Sequence, residues 1–323
     1  MKSFLQKYET LIFDMDGVVT SEQKYWDSAA MTVYEMLHSN KYFGSEEFDA
    51  SKAQRESAKI RKDFFFDDAL ITVLKKKGVN SNWDLAYVTL AFCLIYGKEN
   101  IFDAAKKLND NILDEYNVIA EKLSQKLGKE KEYGQRNGVF WTQVHDCFQE
   151  WYLGTEQKQG FVFREEPLLE LENLQKLLSG LHKEGKRLCI ATGRPDNELV
   201  IHLEKWDIKR YFDPNAIITF DYVVKAEERI KGESFTKPHP YMFLKALYGA
   251  DYEDEKIVKG DYDKEKIKST LVVGDAGADI LAAKAMGADF CAVLTGVSGK
   301  EAKEYFENQN SEYIFDSVLN LAD

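Results

Sequence analysis

Strand-forming runs are spread unevenly along this chain, and that spacing limits its possible folds more than any other feature. Short, unalternated apolar stretches fall at 10–13 (TLIF), 187–191 (RLCIA), 216–220 (AIITF), 270–274 (TLVVG) and 289–294 (DFCAVL). A sheet with one wet face alternates apolar and polar residues, so runs like these belong to a parallel sheet covered on both faces. Helical patterns separate the later runs. Leu171, Leu174, Leu178 and Leu181 recur at helical spacing and stop at Gly185, and Ile280, Ala283 and Met286 do the same within 276–287. Strands alternating with helices predict right-handed βαβ units in a doubly wound α/β sheet.

The interval from 21 to 163 has a different texture, with no strand pattern. Trp26, Ala30, Val33 and Leu37 repeat at helical spacing, as do Leu113, Tyr116, Ala120, Leu123 and Leu127, and 140–154 is aromatic and amphipathic. An insertion of this length exceeds any crossover and suffices for a core of its own. The expected organisation is therefore an α/β domain from 1–20 and 164–323, with an all-α domain, 21–163, inserted after the first strand. Within the insertion, WDLAYVTLAFCLIYG (83–97) is too short for a membrane span and carries Asp84, so it reads as a buried helix. The three phenylalanines of RKDFFFDDAL (61–70) cannot all face one core. The charged stretch 250–268 reads as a solvated surface insertion.

Composition narrows the partners. Asp and Glu number 55 against 43 Lys and Arg, a formal charge of −12, which disfavours nucleic acid but leaves an anionic small molecule open where local charge overrides the global field. Cys93, Cys147, Cys189 and Cys291 form no CxxC pair and read as buried reduced thiols, suited to a reducing compartment. The opening MKSFLQKYET lacks the apolar core of a signal peptide, so the expected location is cytoplasmic, away from any membrane.

In an open parallel sheet, ligands bind beyond the carboxyl ends of the strands, so the polar residues there form the candidate site. The first strand ends in Asp14, Asp16 and Gly17. The second ends in Thr192, Gly193 and Arg194, and the fourth in Asp275 with Asp279 four residues on. Lys237 sits in TKPHP, ahead of a helical pattern. Four carboxylates at one edge repel one another without a cation, and hard oxygen ligands in that number suit Mg²⁺. A carboxylate also serves as a nucleophile toward phosphorus, aided by Lys237, the Thr192 hydroxyl and backbone N–H groups.

DMDGV (14–18), ATGR (191–194), KPHP (237–240) and GDAGAD (274–279), in that order, resemble the four signatures of the haloacid dehalogenase-like hydrolase superfamily. The tail AVLTGVSGKE with YIFDSVLNL resembles the family's closing strand and helix. The resemblance implies a Rossmann-like core with a helical cap inserted after the first motif. It implies Asp14 as nucleophile, Asp16 as general acid and base, and Thr192 and Lys237 as phosphate-binding and charge-neutralising residues. It implies Mg²⁺ held by Asp14, Asp275 and Asp279 and by the Asp16 carbonyl. Gly17 and Gly193 stand with Thr192, Arg194 and Lys237 on the phosphate side, although Arg194 reads equally well as a surface ion pair. Family dehalogenases lack the second acid of the first motif, so Asp16 favours phosphate chemistry. The implied activity is Mg²⁺-dependent hydrolysis of a small phosphomonoester. The alternatives are a β-phosphoglucomutase-like mutase and a non-catalytic binding module. The cap is about twice the family's usual helical bundle. Arg55, Arg61, Lys62 and Arg136 are its candidate anion contacts, against solvated helix faces, and Trp26, Trp141 and Trp151 read as packing.

Overall fold

The computed structural model describes residues 3–79, 81–109, 111–232 and 234–322. They group into two compact units, one drawn from 1–22 and 165–323, the other from 23–164. The first holds a six-stranded sheet: β1 (Thr10–Phe13), β2 (Arg187–Ala191), β3 (Ile217–Ile218), β4 (Thr270–Gly274), β5 (Asp289–Val293) and β6 (Tyr313–Phe315). All neighbours pair in parallel in the order β3-β2-β1-β4-β5-β6, the doubly wound arrangement with β1 at its centre.

The pleat sends alternate residues of each strand into separate cores. Ile12, Cys189 and Val272 join the helices Tyr241–Tyr248 and Gly277–Met286 on one face. Leu11, Phe13, Leu188, Ile190, Leu271 and Val273 join Leu171–Lys183 and Asp196–Lys205 on the other. Each such side chain, fully withdrawn from water, contributes about 1.5–3 kcal/mol. β3 is much shorter than its apolar run suggests, and β5 ends one residue early. Thr219 already caps the helix Phe220–Arg229, which occupies most of the long stretch ahead of Lys237. The 250–268 segment is not simply solvated. It forms the short helices Asp254–Lys259 and Glu265–Lys268, buries Ile257 and Ile267, and pairs buried Asp254 with Lys245 at 2.7 Å.

The second unit is all helical, with Gln23–His38 packed against Asn82–Tyr96 and Val139–Leu153. Asn82–Tyr96 is buried from Asp84 through Cys93, as its uniformly apolar sequence requires. Among the described residues, no single helix is long and apolar enough to cross a membrane. In Ile112–Leu127 the buried face takes Ile112, Tyr116, Ile119, Ala120 and Leu123, while Leu113, about 100° round the helix from Ile112, stays exposed. Phe64 and Phe65 enter the core. Phe66 ends its helix in the left-handed region and packs on Phe102. All four cysteines are buried and unbridged.

Candidate active site

The sheet places the signature residues at one edge because β1, β2 and β4 run in register. Asp14 extends β1 by one bond, its N–H donating to the Val273 carbonyl at 2.9 Å, and Thr192 extends β2 by donating to Ile218. Asp275 follows β4 directly, and Asp279 lies in the first turn of Gly277–Met286, where its Oδ2 accepts from the Ala276 N–H at 3.1 Å. Carboxylate oxygens of Asp14, Asp275 and Asp279 lie within 4.8 Å of one another. The Lys237 ammonium sits 2.7 Å from Asp14 Oδ1 and 2.9 Å from Asp279 Oδ1, against the Phe243 ring.

The electrostatics follow from this crowding. Unit charges at such a separation repel by about 3 kcal/mol at an effective dielectric of 20. Burial pushes the Asp14 carboxyl up, Lys237 opposes the rise, and Asp279 and Asp16 add to it, leaving the group at about 7. Burial together with Asp279 and Asp14 raises Asp275 well above the usual range. For Lys237 the two carboxylates outweigh burial, so its pKa rises and it stays charged. With all three acids ionised, one ammonium would leave two negative charges uncompensated, and the raised Asp14 and Asp275 carboxyls express that excess. A hard divalent cation fits this oxygen donor set in both charge and chemistry.

Gly17 plays a different part from the one expected of it. Its N–H donates to the Thr20 carbonyl at 2.8 Å, closing the turn after Asp16. A Cβ on Gly17, or on Gly296, would strike the Asp275 carboxylate, and Gly17 also has φ +75°. The two glycines thus make the cradle in which Asp275 lies. Gly193 is exposed with open space about it.

Arg194 departs from both expectations, since it is neither at the surface nor turned to an open phosphate side. It is 1% exposed, and its guanidinium lies between Asp16 and Glu165, 2.5 Å and 2.7 Å away. The Thr192 hydroxyl oxygen accepts from the Arg194 N–H at 3.2 Å. Sequence reasoning missed Glu165, His202 and Gly296. A Glu in a linker and a His in a helix look like solvated residues until the chain folds, and nothing around Gly296 distinguishes it from a turn glycine.

The cap cations are largely committed elsewhere. Arg61 binds Asp27 and Asp68 beneath the Trp26 ring, Arg136 binds Asp84, and Lys62 lies near Asp67. Arg55 is exposed. Trp151 is fully buried, and the Trp141 indole donates to Asp84 at 2.8 Å.

The model of the haloacid dehalogenase-like hydrolases matches residues 8–287, and the chain belongs to that family. It is similar to a crystal structure from a structural genomics consortium, with 27% identity, 97% of each chain covered and a TM-score of 0.78. It also shares its fold with a candidate phosphoglycolate phosphatase from Lactobacillus delbrueckii subsp. bulgaricus, at 15% identity, a TM-score of 0.50, and 98% and 96% coverage. No curated protein sequence matches it.

Proposed function

We propose that this hydrolase is a Mg²⁺-dependent phosphatase acting on a small phosphomonoester. The observation that carries the reading is the Asp14 cluster: a buried carboxylate gripped by Lys237 at 2.7 Å, beside Asp275 and Asp279, with Asp16 two residues on. Asp14 attacks phosphorus and forms an aspartyl-phosphate as the ester P–O bond breaks. Asp16 gives its proton to the departing oxygen. The resulting carboxylate then takes a proton from the water that attacks the aspartyl-phosphate, which releases phosphate and restores both acids. Lys237 and the Thr192 hydroxyl hold the phosphoryl oxygens and offset their charge. Asp14, Asp275 and Asp279, with the Asp16 carbonyl, would hold Mg²⁺, which when bound would supply positive charge to offset that of an anionic ester. The helical unit serves as the cap that excludes water and selects the substrate.

The test is phosphate release from a panel of small phosphomonoesters, for the wild type and Asp14→Asn, with Mg²⁺ and with a chelator. The expected result is turnover only by the metal-loaded wild type, with Asp14→Asn lower by about 10³-fold or more. Isomerised sugar phosphate in place of free phosphate would convert the reading to a mutase. Full activity of Asp14→Asn would end it.

A further inference from the structure

Behind the proposed acid–base residue stands a buried ionic relay. Asp16 Oδ1 accepts three donors: Arg194 Nε at 2.9 Å, Arg194 Nη2 at 2.5 Å and the Thr20 hydroxyl at 2.9 Å. The far side of the same guanidinium meets Glu165, with Nη2 at 2.7 Å from Oε1 and Nη1 at 3.3 Å from Oε2. His202 Nε2 lies 3.2 Å from Glu165 Oε2, its ring stacked on Trp206 at 4.9 Å. Lys205 Nζ donates to the Glu165 carbonyl at 2.8 Å. Glu165 and His202 are 0% exposed, whereas the Asp16 side chain keeps 26% of its surface open.

This geometry distinguishes the two oxygens of Asp16. An oxygen that accepts three donors is the poorer seat for a proton, so the carboxyl proton belongs on Oδ2. A guanidinium held on one side only would be able to swing toward an incoming phosphate. Held on both sides, its planar fork has one orientation.

We propose that Glu165 and His202 are positioning residues that lock Arg194, and through it Asp16, so that Oδ2 carries the proton delivered to the leaving oxygen. The inference rests on the phosphatase reading. The proton moves from Asp16 Oδ2 to the ester oxygen as the P–O bond breaks, and returns to Asp16 from water in the second step. Loss of the lock therefore matters in proportion to how much the leaving group needs a proton.

The experiment compares kcat/KM for 4-nitrophenyl phosphate and benzyl phosphate, which are similar in size, in the wild type, Glu165→Gln, His202→Gln and Arg194→Lys. Nitrophenolate leaves without protonation and benzyl alkoxide does not. Glu165→Gln and Arg194→Lys are expected to lose at least about tenfold more on benzyl phosphate than on 4-nitrophenyl phosphate, a share of the 10²–10⁴ that general acid catalysis contributes. His202→Gln should shift the ratio in the same direction by less. Thermal melts identify any variant that fails to fold, and the ratio is read per folded enzyme. Equal losses on both esters, or no loss on either, overturn the inference and leave the phosphatase reading standing. A wild type inactive on these esters and on the whole phosphomonoester panel ends the phosphatase reading, and the inference falls with it.

Discussion

The helical unit and the sheet edge both bury carboxylates, but they treat them differently. In the helical unit, Asp27 meets Lys24 and Arg61, Glu35 meets Lys158 at 2.7 Å, and Asp84 meets Arg136 at 3.0 Å. Indole N–H groups of Trp151 and Trp141 complete the last two, at 2.8 Å each. At the sheet edge, Asp14 and Asp279 share Lys237, and Asp275 crowds them with no cation of its own among the described residues. A balanced buried pair holds a structure in one arrangement, while an unbalanced buried cluster in a cleft marks a candidate ligand site. Charge balance, more than burial, separates the scaffold from the site.

The sharpest way to break this comparison is Asp275→Asn. Activity should fall about 10³-fold, because the variant loses one of the proposed cation ligands. The metal-free protein should become more stable by about 1–2 kcal/mol as a repulsion disappears, which chemical denaturation in chelator would measure. A destabilised variant would show that the cluster is balanced after all. In the helical unit the opposite holds. Lys158→Met leaves Glu35 buried without its ammonium and should cost about 3–5 kcal/mol of unfolding free energy, whereas a loss under 1 kcal/mol would make that pair dispensable.

Metal should sharpen the contrast next. Mg²⁺ at about a hundred times its Kd should stabilise the wild type by about 2.7 kcal/mol and Asp275→Asn by much less, read as a thermal shift. The pH dependence has a definite sign. The Asp14 carboxyl is raised from 3.8 to about 7, so its contribution is full below 3.8 and is lost as pH rises through 7. Protection by Mg²⁺ should accordingly be larger at pH 8 than at pH 5. The smallest effect concerns Glu165, where Arg194 and His202 outweigh burial and lower the carboxyl from 4.5. Its stabilisation is present above 4.5 and is lost as pH falls through the lowered value. The stability gap between the wild type and Glu165→Gln should narrow on acidification, and a gap independent of pH would remove the charge from the explanation.

The strands at 10–13, 187–191 and 270–274, the long helices at 23–38, 82–96, 112–127, 139–153, 171–183 and 277–286 and the family itself were legible in the residues, because these depend on local periodicity and on short motifs at strand ends. The helices at 220–229 and within 250–268 were not. Asp14 and Asp275 were legible as candidates because a parallel sheet brings its carboxyl ends together, Asp279 because it follows Asp275 by four residues, and Lys237, in a loop between two helices, only through its motif. Tertiary structure alone decided which partner each charge takes. Arg194 looked like a substrate or surface residue until folding set Glu165 beside it from 29 positions away. Gly296 showed its purpose only where its missing Cβ leaves room for Asp275. Local pattern specifies where an element forms and which edge it offers. The pairing of buried charges depends on distances that exist only after the chain has closed on itself.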